Sequence, residues 1–167
     1  AARTSGSNNK NMVYNGAMNV AQRGASSTGL GASSGYFTVD RFAHNFNSTS
    51  GRITSTQESI TDLPGFDKAL KVACTTADTS LGAAEYFTIA QSLEGQDCQR
   101  LKKGTSDAEQ ITVSFYVKGN AAATYAFELQ DQSSREISQL FSVTTSWNRI
   151  VLTFIADTSG AITNTNT

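Results

Sequence analysis

One histidine, two cysteines and 14 Asp and Glu side chains are the raw material for chemistry in this sequence. General acid–base and nucleophilic mechanisms need a group whose pKa its neighbours tune towards neutrality, so every imidazole scheme here would rest on His44. That ring follows a polar–apolar alternation, the pattern of a strand-surface or half-buried position. Glu85, Glu94, Glu128 and Asp131 could by type supply the facing carboxylates of a glycosidase, but no spacing pairs them, and they read as solvent-facing strand residues. No catalytic residue is assigned, and the chain is expected not to be an enzyme. A metal centre of His and Cys ligands fails on numbers. An all-oxygen Ca2+ site stays open: "QDQSSRE" and "ADTSG" offer oxygen ligands, although neither has calcium-loop spacing and a solvated turn is the preferred reading. No other cofactor is expected. "GLGASSG" lacks the Gly spacing, the Lys and the strand-to-helix context of a phosphate-cradling loop.

The two cysteines, Cys74 in "ALKVACTT" and Cys98 in "GQDCQRL", form no C-x-x-C motif. One disulfide is open by arithmetic; free thiols are the expectation, with Cys74 as a small core hydrophobe. Binding is better supplied than catalysis. Sugars are held on β-sandwiches by flat aromatic faces and planar polar groups, and Tyr86, Phe87, Tyr116, Tyr125, Gln91, Gln130 and Arg100 are of those kinds. Alternation along a strand turns half of the aromatics inward, which leaves Tyr86 and Tyr116 as the expected exposed pair and Trp147 as a core anchor. The candidate ligand-binding set is Tyr86, Tyr116, Tyr125, Arg100 and Gln91, with no metal ligand assigned.

The elements that must position these groups are strands. "ITVSFYVKG" sets Ile111, Val113, Phe115 and Val117 against Thr112, Ser114, Tyr116 and Lys118, a strict period of two. "ATYAFELQ" repeats it beyond "KGNAAA", so the two runs are expected to form a hairpin. "REISQLFSV" and "WNRIVLTFIAD" follow, with Ile150, Leu152 and Phe154 on one face. Upstream, "YFTVDRFAHNF", "RITSTQESI", "ALKVACT" and "AEYFTIAQSLEG" are four further strand candidates. The Gly/Ser-rich segment 24–35 reads as a flexible loop, and Pro64–Gly65 as a turn. Runs at this spacing predict an all-β fold, an antiparallel sandwich. With 167 residues, 38% of them hydrophobic, one domain is expected; a net charge of −1 and a pI near 5.8 lack the basic footprint of a nucleic-acid binder. No apolar window is long enough for a membrane helix, and the N-terminus has no signal-peptide core, so no membrane insertion is expected.

In order along residues 11–160, "NMVYNGAMNVAQRG", "YFTVDRF", "YFTIAQSLEGQD", "QITVSFYVKGN", "TYAFELQD" and "FSVTTSWNRIVLTFIADTSG" resemble jelly-roll modules similar to family 4/9 carbohydrate-binding modules, found in bacteriophage tail-fibre and other virion proteins. The resemblance implies a carbohydrate-binding-module-like jelly roll over 11–160, an N-terminal arm or linker over 1–10, and a tail or the start of a missing continuation over 161–167. It implies a turn at Asn15–Gly16 after a first strand and a second strand ending at "QRG". Asp40 and Arg41 would alternate across a third strand, with Phe37, Val39 and Phe42 supplying apolar surface. Similar modules continue past "DTSG" into closing strands, so the last strands are expected to be missing here. The chain is then a portion of a longer polypeptide, or a neighbour completes its edge by strand exchange. The functional expectation is a non-enzymatic virion protein, a tail fibre, spike or head decoration that attaches to a host-surface glycan, located in the virion with other virion subunits as partners and forming a homo-oligomer. The alternatives are a purely structural capsid or tail module, and the accessory module of a polysaccharide depolymerase.

Overall fold

The computed structural model describes residues 11–160; the expected arm over 1–10 and tail over 161–167 lie outside the described residues. The fold is all-β, and every strand pairing among the described residues is antiparallel. Two compact units divide the chain, one spanning Asn11–Ser92 and the other running from Leu93 onward.

In the first unit, β1 (Ser26–Leu30), β3 (Arg52–Ser59) and β4 (Lys68–Thr76) form one sheet, in the order β1-β3-β4. A second sheet pairs β2 (Ala43–Asn47) with β5 (Tyr86–Ala90). The strands expected around 52–60, 69–75 and 84–95 are present. Several expectations fail. The Gly/Ser segment contains β1, because Leu30 packs into the core opposite Ile53 and the strand pairs with β3. Conversely, residues 36–42 of "YFTVDRFAHNF" form no strand: Thr38 and Val39 are consecutive and both buried, which a half-exposed strand cannot achieve. The Thr38 hydroxyl is satisfied by Ser55 Oγ at 2.8 Å. Asn15 and Gly16 do make a turn, closed by Met18 N–H donating to Asn15 O at 2.9 Å, but no strand flanks it and none ends at "QRG".

His44 is fully buried, not at a strand surface or half-buried. Its ring lies edge-on to Phe37 at 5.8 Å and stacks on Phe87 at 6.0 Å, and neither nitrogen has a hydrogen-bond partner among the described residues. Cys74, expected in the core, is exposed; both thiols are free and Cys98 is the buried one.

The second unit opens with a helical turn α1 (Gly95–Cys98) that continues as a 3-10 turn, Gln99–Leu101. Its strands are β6 (Ile111–Val117), β7 (Ala123–Gln130), β8 (Glu136–Val143) and β9 (Asn148–Phe154). The period-two reading holds: Leu152 and Phe154 are buried and Ile150 half-buried, while Arg149, Val151 and Thr153 are exposed. The expected β6–β7 hairpin is absent. Instead β6 pairs with β9, from Ile111↔Phe154 to Val117↔Asn148, and β7 pairs with β8. Facing aromatics join the two ribbons: Phe115 on β6 stacks on Phe127 at 5.7 Å and meets the edge of Phe141 at 5.1 Å, and Phe127 reaches Phe154 at 6.0 Å. The first unit repeats this nesting, with β2–β5 as the outer pair and β3–β4 as the inner.

Candidate functional site

The two opening sequence blocks converge in the first unit. Asn15 adopts φ 55°, a left-handed conformation that Asn tolerates better than most residues, and its amide clasps two non-strand segments of the chain at once. Nδ2 donates to Val20 O at 2.9 Å and to Asp40 O at 3.0 Å, while Oδ1 accepts from Val20 N–H at 3.0 Å. Asp40 N–H donates to Val20 O at 2.9 Å, and Gln57 on β3 anchors the same arm through Met18 O at 2.6 Å. The segment holding Gln22 and Arg23 is thereby laid beside Asp40 and Arg41.

Arg23, Tyr36, Asp40 and Arg41 line an open depression of about 270 Å³. Asp40 and Arg41 do not alternate across a strand. Both sit in a turn, and Arg41 has φ 75°, a conformation that costs a non-glycine residue about 1–3 kcal/mol and persists only where its surroundings impose it. The Arg41 guanidinium lies over the Tyr14 ring at 4.8 Å, and that of Arg23 over Tyr36 at 5.6 Å. Asp40 Oδ1 accepts from Gln22 N–H at 3.1 Å and stands 3.6 Å from Arg23 Nη1, an ion pair too long to be a hydrogen bond. Cationic forks, a phenol and a carboxylate around a shallow hollow can bind hydroxyl-rich or anionic ligands; no nucleophile–base pair is present among these four.

The residues chosen from the sequence fall into three situations. Tyr86 and Tyr116 are exposed, as expected, on β5 of the first unit and β6 of the second. Tyr125 is also exposed, but it lies in the phase of Phe127 and stacks on Phe141 at 6.0 Å, so it shares no sheet face with Tyr116. Arg100 donates from Nε to Asp97 O at 3.1 Å in the helical turn. Gln91 acts as a backbone mimic: its Oε1 accepts from Tyr14 N–H at 2.7 Å and its Nε2 donates to Tyr14 O at 2.8 Å. It therefore positions the ring on which Arg41 rests. Trp147 is half-buried beneath Lys118, whose Nζ stands 5.0 Å from the ring centroid.

The two loops that offered oxygen ligands meet in the second unit, with the Lys103 ammonium between them. Nζ lies 2.7 Å from Asp131 Oδ2, 3.0 Å from Asp157 Oδ2 and 2.8 Å from Gly160 O. Arg135 engages both oxygens of Asp157, at 2.8 and 3.1 Å. Asp131, expected on a solvent-facing strand, is thus drawn into an ion-pair network. Backbone N–H donation from Ser159, then Arg135 and Lys103, holds the Asp157 carboxyl far below the carboxylate range, and hydrogen bonding to Lys103 lowers Asp131. Burial opposes the charge on Lys103, but its two carboxylate partners outweigh it and raise its pKa.

Because the folded carboxyls titrate below their unfolded counterparts, their stabilisation is complete above about pH 4 and fades as the pH falls below it. Lys103→Met is accordingly expected to lower the thermal midpoint at pH 7, with the gap to the parent narrowing at pH 3. A gap independent of pH would show that the network contributes only through packing. Comparison of the chain with family models, with curated proteins and with solved structures finds no match.

Proposed function

We propose that the chain is a non-enzymatic glycan-binding module of a bacteriophage particle, a tail-fibre, spike or head-decoration protein of homo-oligomeric assembly that attaches to host-surface carbohydrate. The observation that carries the binding half of this reading is the depression at Arg23, Tyr36, Asp40 and Arg41, where each guanidinium lies over a tyrosine ring and Asn15 and Gln91 tie down the backbone of the neighbouring segments. Pre-organisation of this kind reduces the ordering cost of binding. The ordered sequence blocks and the all-β antiparallel architecture support the virion half, with the jelly roll as its expected topology. The sugar contact moves from the strand tyrosines to the turn.

On a glycan array the full chain is expected to retain a defined set of saccharides, and Arg23→Ala and Tyr36→Ala to lose them at unchanged thermal midpoint, with Tyr86→Ala and Tyr116→Ala unaffected. Loss through Tyr86 or Tyr116 instead would return the site to the strand aromatics. A second reading, a structural module that packs against other virion subunits, is favoured by Leu140 on β8 and by Val151 and Ile155 on and beyond β9, exposed at 72%, 53% and 73%. An array blank for every saccharide would select it.

A further inference from the structure

The hydrogen-bonding capacity left unused in the depression narrows the ligand further. Arg23 carries five N–H donors in a planar fork that matches a carboxylate, and its contacts among the described residues are the Tyr36 face and the long ion pair to Asp40. Its side chain is 55% exposed, so the fork is reachable. The Tyr36 ring supports the guanidinium from one side, and Tyr36 is itself 44% exposed, with its hydroxyl available. The two contacts of Asp40, from Gln22 N–H and Arg23, both fall on Oδ1, leaving Oδ2 as an acceptor for a ligand hydroxyl. At about 270 Å³ the hollow is smaller than the roughly 300–1,000 Å³ that encloses drug-sized ligands, and suits one ring with its substituents.

We infer that this depression binds an acidic sugar, a uronic-acid-type residue whose carboxylate takes the Arg23 fork and whose ring hydroxyls meet Tyr36 Oη and Asp40 Oδ2. The inference rests on the glycan reading above and specifies its ligand. A neutral hexose would leave the fork without its complementary acceptor, whereas a simple anion such as acetate would leave Tyr36 and Asp40 unused.

The test is calorimetric titration of the full chain with a glucuronic-acid tetrasaccharide, a glucose tetrasaccharide and acetate. The acidic oligosaccharide is expected to bind at least about tenfold more tightly than the neutral one, the scale of one charge-assisted hydrogen-bonded contact. Arg23→Gln should erase that preference and Arg23→Lys should restore only part of it, since an ammonium lacks the fork. Tyr36→Phe, which removes one oxygen from an exposed ring, should weaken the acidic ligand about two- to tenfold and serves as the decisive variant if Arg23→Gln lowers the thermal midpoint. Equal affinity for the acidic and neutral tetrasaccharides, or a preference that survives Arg23→Gln, overturns the inference while leaving glycan binding intact. Acetate binding as tightly as the acidic sugar also overturns it, in favour of a general anion site. If neither tetrasaccharide binds, the array separates the cases: retained saccharides sink only the acidic-sugar assignment, and a blank array sinks both readings.

Discussion

Phe154→Ala will destabilise the second unit by about 3–5 kcal/mol, the cost of emptying a large aromatic site in a packed core. Phe154 is 1% exposed, ends β9 opposite Ile111, and touches the inner ribbon through Phe127. Its removal severs a chain of aromatic contacts that runs from β9 through Phe127 and Phe115 to Phe141 and Tyr125. These contacts hold the β6–β9 pair against the β7–β8 pair, so the loss is not confined to one strand. Val151→Ala is the internal control. It sits three residues earlier on the same strand, on the opposite face and 53% exposed, where truncation should stay within about 0.5 kcal/mol. Urea unfolding of both variants measures the contrast. Similar midpoints for the two would mean that the face bearing Leu152 and Phe154 is not the buried one.

The second large effect concerns His44 and depends on pH. Burial between Phe37 and Phe87 lowers its pKa below 6.5, and neither ring nitrogen has a compensating partner among the described residues. The unfolded chain therefore binds the proton more readily than the folded one. Stability is complete above about pH 6.5 and is lost as the pH falls from there towards the lowered folded value. His44→Leu should flatten the dependence between pH 7 and pH 5. It should also raise stability at pH 5 by about 1–3 kcal/mol, the usual cost of a buried polar group without a partner. Thermal midpoints of parent and variant across that range measure it; parallel curves would mean that the imidazole is solvated or paired.

These residues also show where a sequence is transparent and where it is not. The faces of β6 and β9 were readable because alternation of Ile111, Val113, Phe115 and Val117 with polar neighbours is a local property. Pairing is not local. The expectation of a β6–β7 hairpin rested on Gly119 and Asn120, yet Gly119 N–H donates to Thr144 O at 2.8 Å, beyond the far end of β8. The tight turn lies instead at Asp131–Arg135, where Asp131 N–H donates to Arg135 O at 2.9 Å and Ser134 takes φ 59°. β1 was hidden because its Gly- and Ser-rich composition carries little strand propensity, and pairing with β3 supplies what propensity does not. The depression was not legible. Its residues lie in "NMVYNGAMNVAQRG" and "YFTVDRF", which the sequence offered as a turn and strands, and Arg23 and Asp40 meet only because Asn15, Gln57 and Gln91 tie the arm down; an amide side chain in sequence does not reveal whether it will hold a ligand or the backbone.

The nesting of the strands sets an order of assembly. Closing β7 on β8 requires only residues 131–135 to be looped out, whereas closing β6 on β9 directly means looping out residues 118–147, a roughly sixfold longer loop that costs about 1.5 kcal/mol more in chain entropy. Once the inner hairpin has formed, it has already brought the ends of β6 and β9 close together, and the outer pair closes across two short connections. Each unit can thus zip from its inner turn outward, β3–β4 before β2–β5 and β7–β8 before β6–β9, so that long-range pairings are reached by a succession of short-range steps.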